Sequence, residues 1–194
     1  MEFNPFIIVY SILQFIAFLL VVAGTVLDMF RVRGVFIPTP QACLTLWGFK
    51  DSCSDGKISL TLEQFFYQCT DARNHFYVAA ALAVMSIFVY CAAFVLGVIM
   101  LYCCVYLRWA CLVLNILGSV TLATSWVFVL VVSHRTNLSN CLQVPVSISF
   151  GIGFALLIVA WVLDLVSIAF LFIPWQNQDL DESSHSKKSK SQEE

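Results

Sequence analysis

Charge is scarce in this chain. Ten Lys and Arg and twelve Asp and Glu make up 11% of 194 residues, too few to cover a water-facing surface of this size. The formal net charge is only -2, and the basic residues are scattered through loops and tail. No basic stripe is formed, which argues against nucleic acid as a partner. Histidine is rarer still: His75, His134 and His185 stand apart from any Ser, acid or Cys spacing that would suggest catalysis or a metal. No catalytic, cofactor-binding or metal-ligating constellation is found, and an enzyme is not expected.

What is present is hydrocarbon. Apolar residues make up 60% of the chain and the mean hydropathy is +0.88, so the lipid bilayer is the expected solvent. A helix needs about 20 mostly apolar residues to span it. Four stretches qualify, at about 5–27, 76–105, 109–132 and 144–173. The first lacks the basic leader and the short apolar run of a cleaved signal, so it reads as a retained span. The expected organisation is a membrane domain over 1–175 and a Ser-, Lys- and Glu-rich disordered tail over 176–194.

Four spans put both termini and the turn at Arg108 on one face, with loops 28–75 and 134–143 on the other. A count of basic residues favours termini outside. The cysteines argue the reverse. Cys43, Cys53, Cys69 and Cys141 share the loop face, and four thiols suit two disulfides, which persist in an oxidising compartment. The alternative is four unpaired cytosolic thiols. Asn137-Leu138-Ser139 on the same face is a glycosylation acceptor. The termini are therefore expected to be cytosolic.

In the first loop, Val35 to Ile37, Cys43 to Phe49 and Lys57 to Leu62 read as short strands, separated by Pro38, Pro40 and Gly56. A small antiparallel sheet follows, and Glu63 to His75 reads as a helical lead into the second span. The segment Cys43-Leu44-Thr45-Leu46-Trp47-Gly48-Phe49-Lys50-Asp51-Ser52-Cys53 resembles the amastin signature: cysteine, an aliphatic or aromatic residue, Thr or Ser, Leu or Phe, Trp-Gly, a basic or amide residue, an acidic or polar one, and a closing cysteine. The motif residues are Cys43, Thr45, Leu46, Trp47, Gly48, Lys50 and Cys53, and the fit is loosest at Ser52. Length, four spans and the large outer loop extend the likeness over nearly the whole chain. Amastins are surface proteins of kinetoplastid parasites, so the resemblance implies a multi-pass plasma-membrane glycoprotein. More distantly the loop resembles that of claudins, which supports an all-α four-helix membrane bundle carrying an extracellular sheet. The signature points to a Cys43–Cys53 disulfide, leaving Cys69 to pair with Cys141.

Within the spans, Asp164 is the only deep acidic side chain, and such residues are functional hypotheses by default. Under the four-span topology Gln14, Asn115 and Asp164 share a depth and are expected to form one hydrogen-bonded clasp. Ser147, Gly151 and Ala155, with Ser149 and Gly153, are expected to form a small-residue face on span four, packed within the bundle or against a second copy of the chain. Cys103, Cys104 and Cys111 flank the turn at Arg108 as candidates for palmitoylation or as apolar filler. The expected function is that of a surface interaction protein whose outer loop meets a membrane or protein partner. The competing reading is a small ion or proton transporter working through Asp164.

Overall fold

The computed structural model describes residues 5–34, 42–54, 56–67, 69–102, 107–135 and 146–190. Four of its helices are long and apolar enough to cross a membrane. They are α1 (Pro5–Val26), α3 (Thr70–Tyr102), α4 (Leu107–Arg135) and α5 (Ile152–Lys190). The helices form a closed ring in which α1 packs on α3, α3 on α4, α4 on α5 and α5 on α1.

The buried positions explain this arrangement. In α1 they include Tyr10, Gln14, Ala17 and Val21; in α3 Ala79, Ala83, Ser86, Tyr90 and Ala93; in α4 Cys111, Asn115, Leu122, Ser125 and Val129; in α5 Leu157, Ala160, Asp164, Ser167 and Leu171. Steps of three and four residues recur throughout, the repeat that winds helices around one another in a left-handed bundle. Small and hydroxyl residues occupy many of these positions because lipid provides no hydrophobic drive for association, so close packing and interhelical polar contacts must do it. One such contact is the Ser125 hydroxyl on α4, which donates to the Ala79 carbonyl of α3 at 2.9 Å. Outward positions such as Ile12, Phe88, Val120 and Val159 are exposed and apolar, as a hydrocarbon solvent requires.

Above one end of the ring sits a five-stranded antiparallel sheet in the order β4-β3-β2-β1-β5. Its strands are β1 (Phe30–Gly34), β2 (Ala42–Leu44), β3 (Gly48–Lys50), β4 (Leu60–Thr61) and β5 (Val146–Phe150). A one-turn helix, α2 (Leu62–Phe65), follows β4 and is capped by Thr61 and Gln64, whose side chains reach reciprocally to each other's backbone N–H. An aromatic layer joins sheet to bundle. The Phe49 and Phe65 rings stack at 5.0 Å, and Phe66 and Phe30 meet Phe76 of α3 at 5.2 and 6.4 Å.

Four expectations change. The segment Cys43 to Phe49 is not one strand, since it turns back over 45–47 and forms β2 and β3, with Leu44 opposite Phe49. The fourth span does not begin at 144: β5 pairs with β1 from Gly34↔Val146 to Phe30↔Phe150, and the helix starts only at Ile152. Alternation in Val146-Ser147-Ile148-Ser149-Phe150 satisfies a strand, whereas total hydropathy cannot distinguish it from a helix. Ser147 and Ser149 are consequently strand residues, outside the helical small-residue face. At the other end α5 continues to Lys190, where a disordered tail was expected after 175. Pro174 lies within α5, and no further Gly or Pro follows it before Lys190 to end the helix. Finally, the second span's helix begins at Thr70, absorbing much of the expected lead. The proposed strand Val35 to Ile37 lies outside the described residues.

Candidate functional site

The signature segment is a hairpin of β2 and β3, with Cys43 opposite Lys50 and Leu44 opposite Phe49. Its turn is built around Thr45. The Thr45 hydroxyl donates to the Gly48 carbonyl at 2.8 Å and accepts from the N–H groups of Trp47 and Gly48, both at 3.2 Å. One donor and two acceptor sites are thereby all used, which only Ser or Thr can offer in so small a side chain. Leu46 is fully buried in the layer beneath the sheet. Gly48 has no room for a Cβ, which would stand 2.6 Å from Ile58 Cγ2 and 2.7 Å from the Leu60 carbonyl oxygen. The Trp47 indole turns toward the bundle, and its Nε1 donates to the Thr25 carbonyl of α1 at 2.9 Å. Cys43 and Cys53 close the hairpin as a disulfide with Cα atoms 5.2 Å apart.

The disulfide lies beside Asp28, and the carboxylate and both sulfurs fall within 4.8 Å of one another. The sulfurs are bonded together and offer no thiolate, while Asp28 takes Arg31 Nε at 3.0 Å. The group is thus a structural junction between α1 and the sheet. Cys69 is also disulfide-bonded; Cys141, its expected partner, and the acceptor Asn137 lie outside the described residues.

The second set of functional candidates lies inside the bundle. Gln14, Asn115 and Asp164 are all buried, Asp164 completely, but the direct clasp expected among them is absent. Asn115 Nδ2 instead donates to the Tyr10 hydroxyl at 2.9 Å. Neither polar atom of Gln14 nor either carboxylate oxygen of Asp164 has a hydrogen-bond partner in the protein, and the same is true of Asn115 Oδ1, Ser11 Oγ and the Tyr90 hydroxyl. Tyr10 and Tyr90 both lie within electrostatic reach of Asp164, and Tyr90 faces it in a contact too open to count as a closed hydrogen bond. Two glycines make space for these rings. A Cβ on Gly97 would meet Tyr10 Cε1 at 2.9 Å, and one on Gly118 would meet Tyr90 Cε2 at 3.2 Å.

The tyrosines are what the sequence reading missed. Tyr10 stands four residues before Gln14 on the same buried stripe, so heptad phase rather than polarity was the signal that could have found it. Cys111 is fully buried against Tyr10, Met100 and Leu171. That removes it as a palmitoylation site, since the acyl donor must reach the sulfur; Cys103 and Cys104 lie outside the described residues. His75 directs Nδ1 to the Asp71 carbonyl and packs on Phe128, both on the outer rim of the helices.

A ring of four apolar helices, a covering sheet fastened by a disulfide hairpin, and an uncharged outer wall define a tetraspan membrane protein. The chain belongs to the amastin surface glycoprotein family, whose model matches residues 15–171. That match takes in the signature hairpin, the sheet and nearly all of the four-span bundle. No curated protein matches the chain.

Proposed function

We propose that this surface tetraspan protein acts as an interaction platform, presenting its sheet to an apposed membrane or a protein upon it, at the interface between parasite and host that the amastin resemblance implies. The sheet faces out of the cell in this reading and the termini face the cytosol, because Cys43, Cys53 and Cys69 are all disulfide-bonded and all lie in the loop between the first two spans that carries most of the sheet. The observation that carries the proposal is the apolar surface left on a rigid sheet. Leu60 of β4 is uncovered, as are Ile58 just before it and Tyr67, 82% exposed, just after α2, although each is fixed to a stapled, aromatic-packed unit. A preorganised apolar surface loses little entropy when a partner covers it.

Proteoliposomes carrying the whole protein should adhere to host-cell surfaces above the level of protein-free liposomes. The variant Ile58→Ser with Tyr67→Ser should fold with its disulfides intact and lose that adhesion. Equal adhesion by wild type and variant would end this reading. A second reading, passage of a small ion or proton by way of Asp164, is favoured by one observation: a fully buried carboxylate without a protein partner. Flux into proteoliposomes by wild type and by Asp164→Asn separates the two.

A further inference from the structure

We propose that the bundle interior is a binding site for one monovalent hard cation, Na+ or K+, held by the Asp164 carboxylate with Gln14 Oε1 and Asn115 Oδ1 as neutral oxygen ligands. The site shares Asp164 with the second reading above, but binding does not require transport, so it stands or falls without flux.

Three observations converge. First, Gln14, Asn115 and Asp164 lie seven or eight residues from the same end of their membrane spans, which run from Ile7, from Leu107 and to Phe172, and at about 1.5 Å per residue that sets them at one depth, roughly 10 to 12 Å in. Second, they occupy the inward heptad positions of α1, α4 and α5, three helices of one ring, and Tyr10 bridges α1 to α4 through Asn115 while lying within reach of Asp164. Third, the protein leaves their oxygens unpaired. Gln14 lacks a partner at both polar atoms, and Asn115 keeps its oxygen free because its Nδ2 is the atom bonded to Tyr10.

Buried polar groups without partners are costly, and a buried carboxylate is costlier. The composition of the cluster specifies what would satisfy it. On Gln14, Asn115 and Asp164 every unpaired atom apart from Gln14 Nε2 is an oxygen, the ligand class of hard cations rather than of Zn or Cu; the unpaired indole N–H groups of Trp126 and Trp161 are donors and offer a cation nothing. Asp164 is the only buried charge at this depth among the described residues, the other buried acid, Asp28, being at the sheet end. One negative charge neutralises one monovalent cation, whereas a divalent ion would leave a net positive charge in a low-dielectric interior. Gly97 and Gly118, by accommodating Tyr10 and Tyr90, let the rings wall the cluster and exclude bulk water.

The test uses the full chain in nanodiscs at constant ionic strength, with NaCl, KCl or N-methyl-D-glucamine chloride as the salt. Thermal unfolding should shift upward saturably in Na+ or K+ relative to the organic cation. Asp164→Asn should abolish the shift. Gln14→Met, which keeps the shape and removes the oxygen, should raise the half-saturating concentration about tenfold. Identical melting in all three salts would overturn the proposal, as would an undiminished shift in Asp164→Asn, which would mark surface screening. Stability that follows pH and ignores the cation would assign Asp164 to a bound proton instead and also overturn it. Should Asp164→Asn fail to fold, equilibrium binding of radioactive Na+ and Rb+ to the wild type decides: one ion per chain, competed by the unlabelled salt, supports the site, and no bound ion refutes it.

Discussion

The indole of Trp47 donates to the Thr25 carbonyl at 2.9 Å, joining residues 22 positions apart. Thr25 lies in the last turn of α1, where carbonyl oxygens have no intrahelical partner. The signature tryptophan is therefore a helix cap delivered from the sheet. It couples the hairpin to the bundle by one directed bond in addition to packing. Trp47→Phe keeps much of the apolar bulk and removes the donor, so it should lower stability by about 1 kcal/mol. Thermal melts of the purified protein in nanodiscs check this, and an unchanged melting temperature would show the bond to be incidental.

Gly153 and Gly56 should respond in opposite ways to alanine. A Cβ at Gly153 would stand 2.7 to 2.9 Å from the carbonyl oxygens of Gly24, Asp28 and Leu27, all of them backbone and unable to rotate aside. Gly153→Ala should force α1 and α5 apart at the sheet end and cost about 1 to 3 kcal/mol. Gly56 has nothing within 4 Å of that position, and its alanine variant should melt with the wild type. Melting the two variants side by side makes the comparison.

The disulfides are open to direct reading by mass spectrometry of non-reduced peptides. Cys43 should be found joined to Cys53, and Cys69 to Cys141. Replacing Cys43 and Cys53 together by Ser should cost about 3 kcal/mol for a loop of this size, measured by chemical unfolding. Ready alkylation of Cys43 without reductant would contradict the fold of the hairpin.

Tyr10 and Asn115 should be energetically coupled. A double-mutant cycle with Tyr10→Phe and Asn115→Ala should give about 0.6 kcal/mol, the average for polar contacts between helices in a bilayer. A coupling indistinguishable from zero would mean that the 2.9 Å bond contributes no net stability.

Cys111 should take no acyl group. Acyl exchange on the protein from intact membranes should give the same signal for wild type and Cys111→Ser, because the sulfur is enclosed by Tyr10, Met100 and Leu171. A lower signal in the variant would show that this packing opens.

The spans were legible because a hydrocarbon solvent demands long uncharged helices, and few other residues could serve there. The signature was legible as a motif, but its hairpin was not: Cys43 to Phe49 reads as one strand by composition, whereas the Thr45 hydroxyl, with three hydrogen bonds, folds it back into β2 and β3. Two further things were hidden. β5 was absorbed into span four by its hydropathy, and only its alternation told strand from helix. The partners inside the bundle were misread because depth along a helix can be counted from sequence, whereas rotation about the axis decides contact. Gln14, Asn115 and Asp164 share a depth, yet the hydrogen bond goes to Tyr10, whose long side chain reaches Asn115 from the neighbouring turn of α1.

β1 is flanked by β2 from its own loop and by β5 from the far end of the membrane domain, with Phe30 opposite Phe150. During synthesis β2 is available soon after β1, but β5 emerges only after two more spans have been made. Until then β1 presents an open edge at the membrane surface, and such edges recruit other strands. Insertion of the last span is thus also the step that covers the β1 edge with β5. A chain halted before Val146 would hold three spans and an unfinished sheet, the form a quality-control system could recognise by its exposed strand.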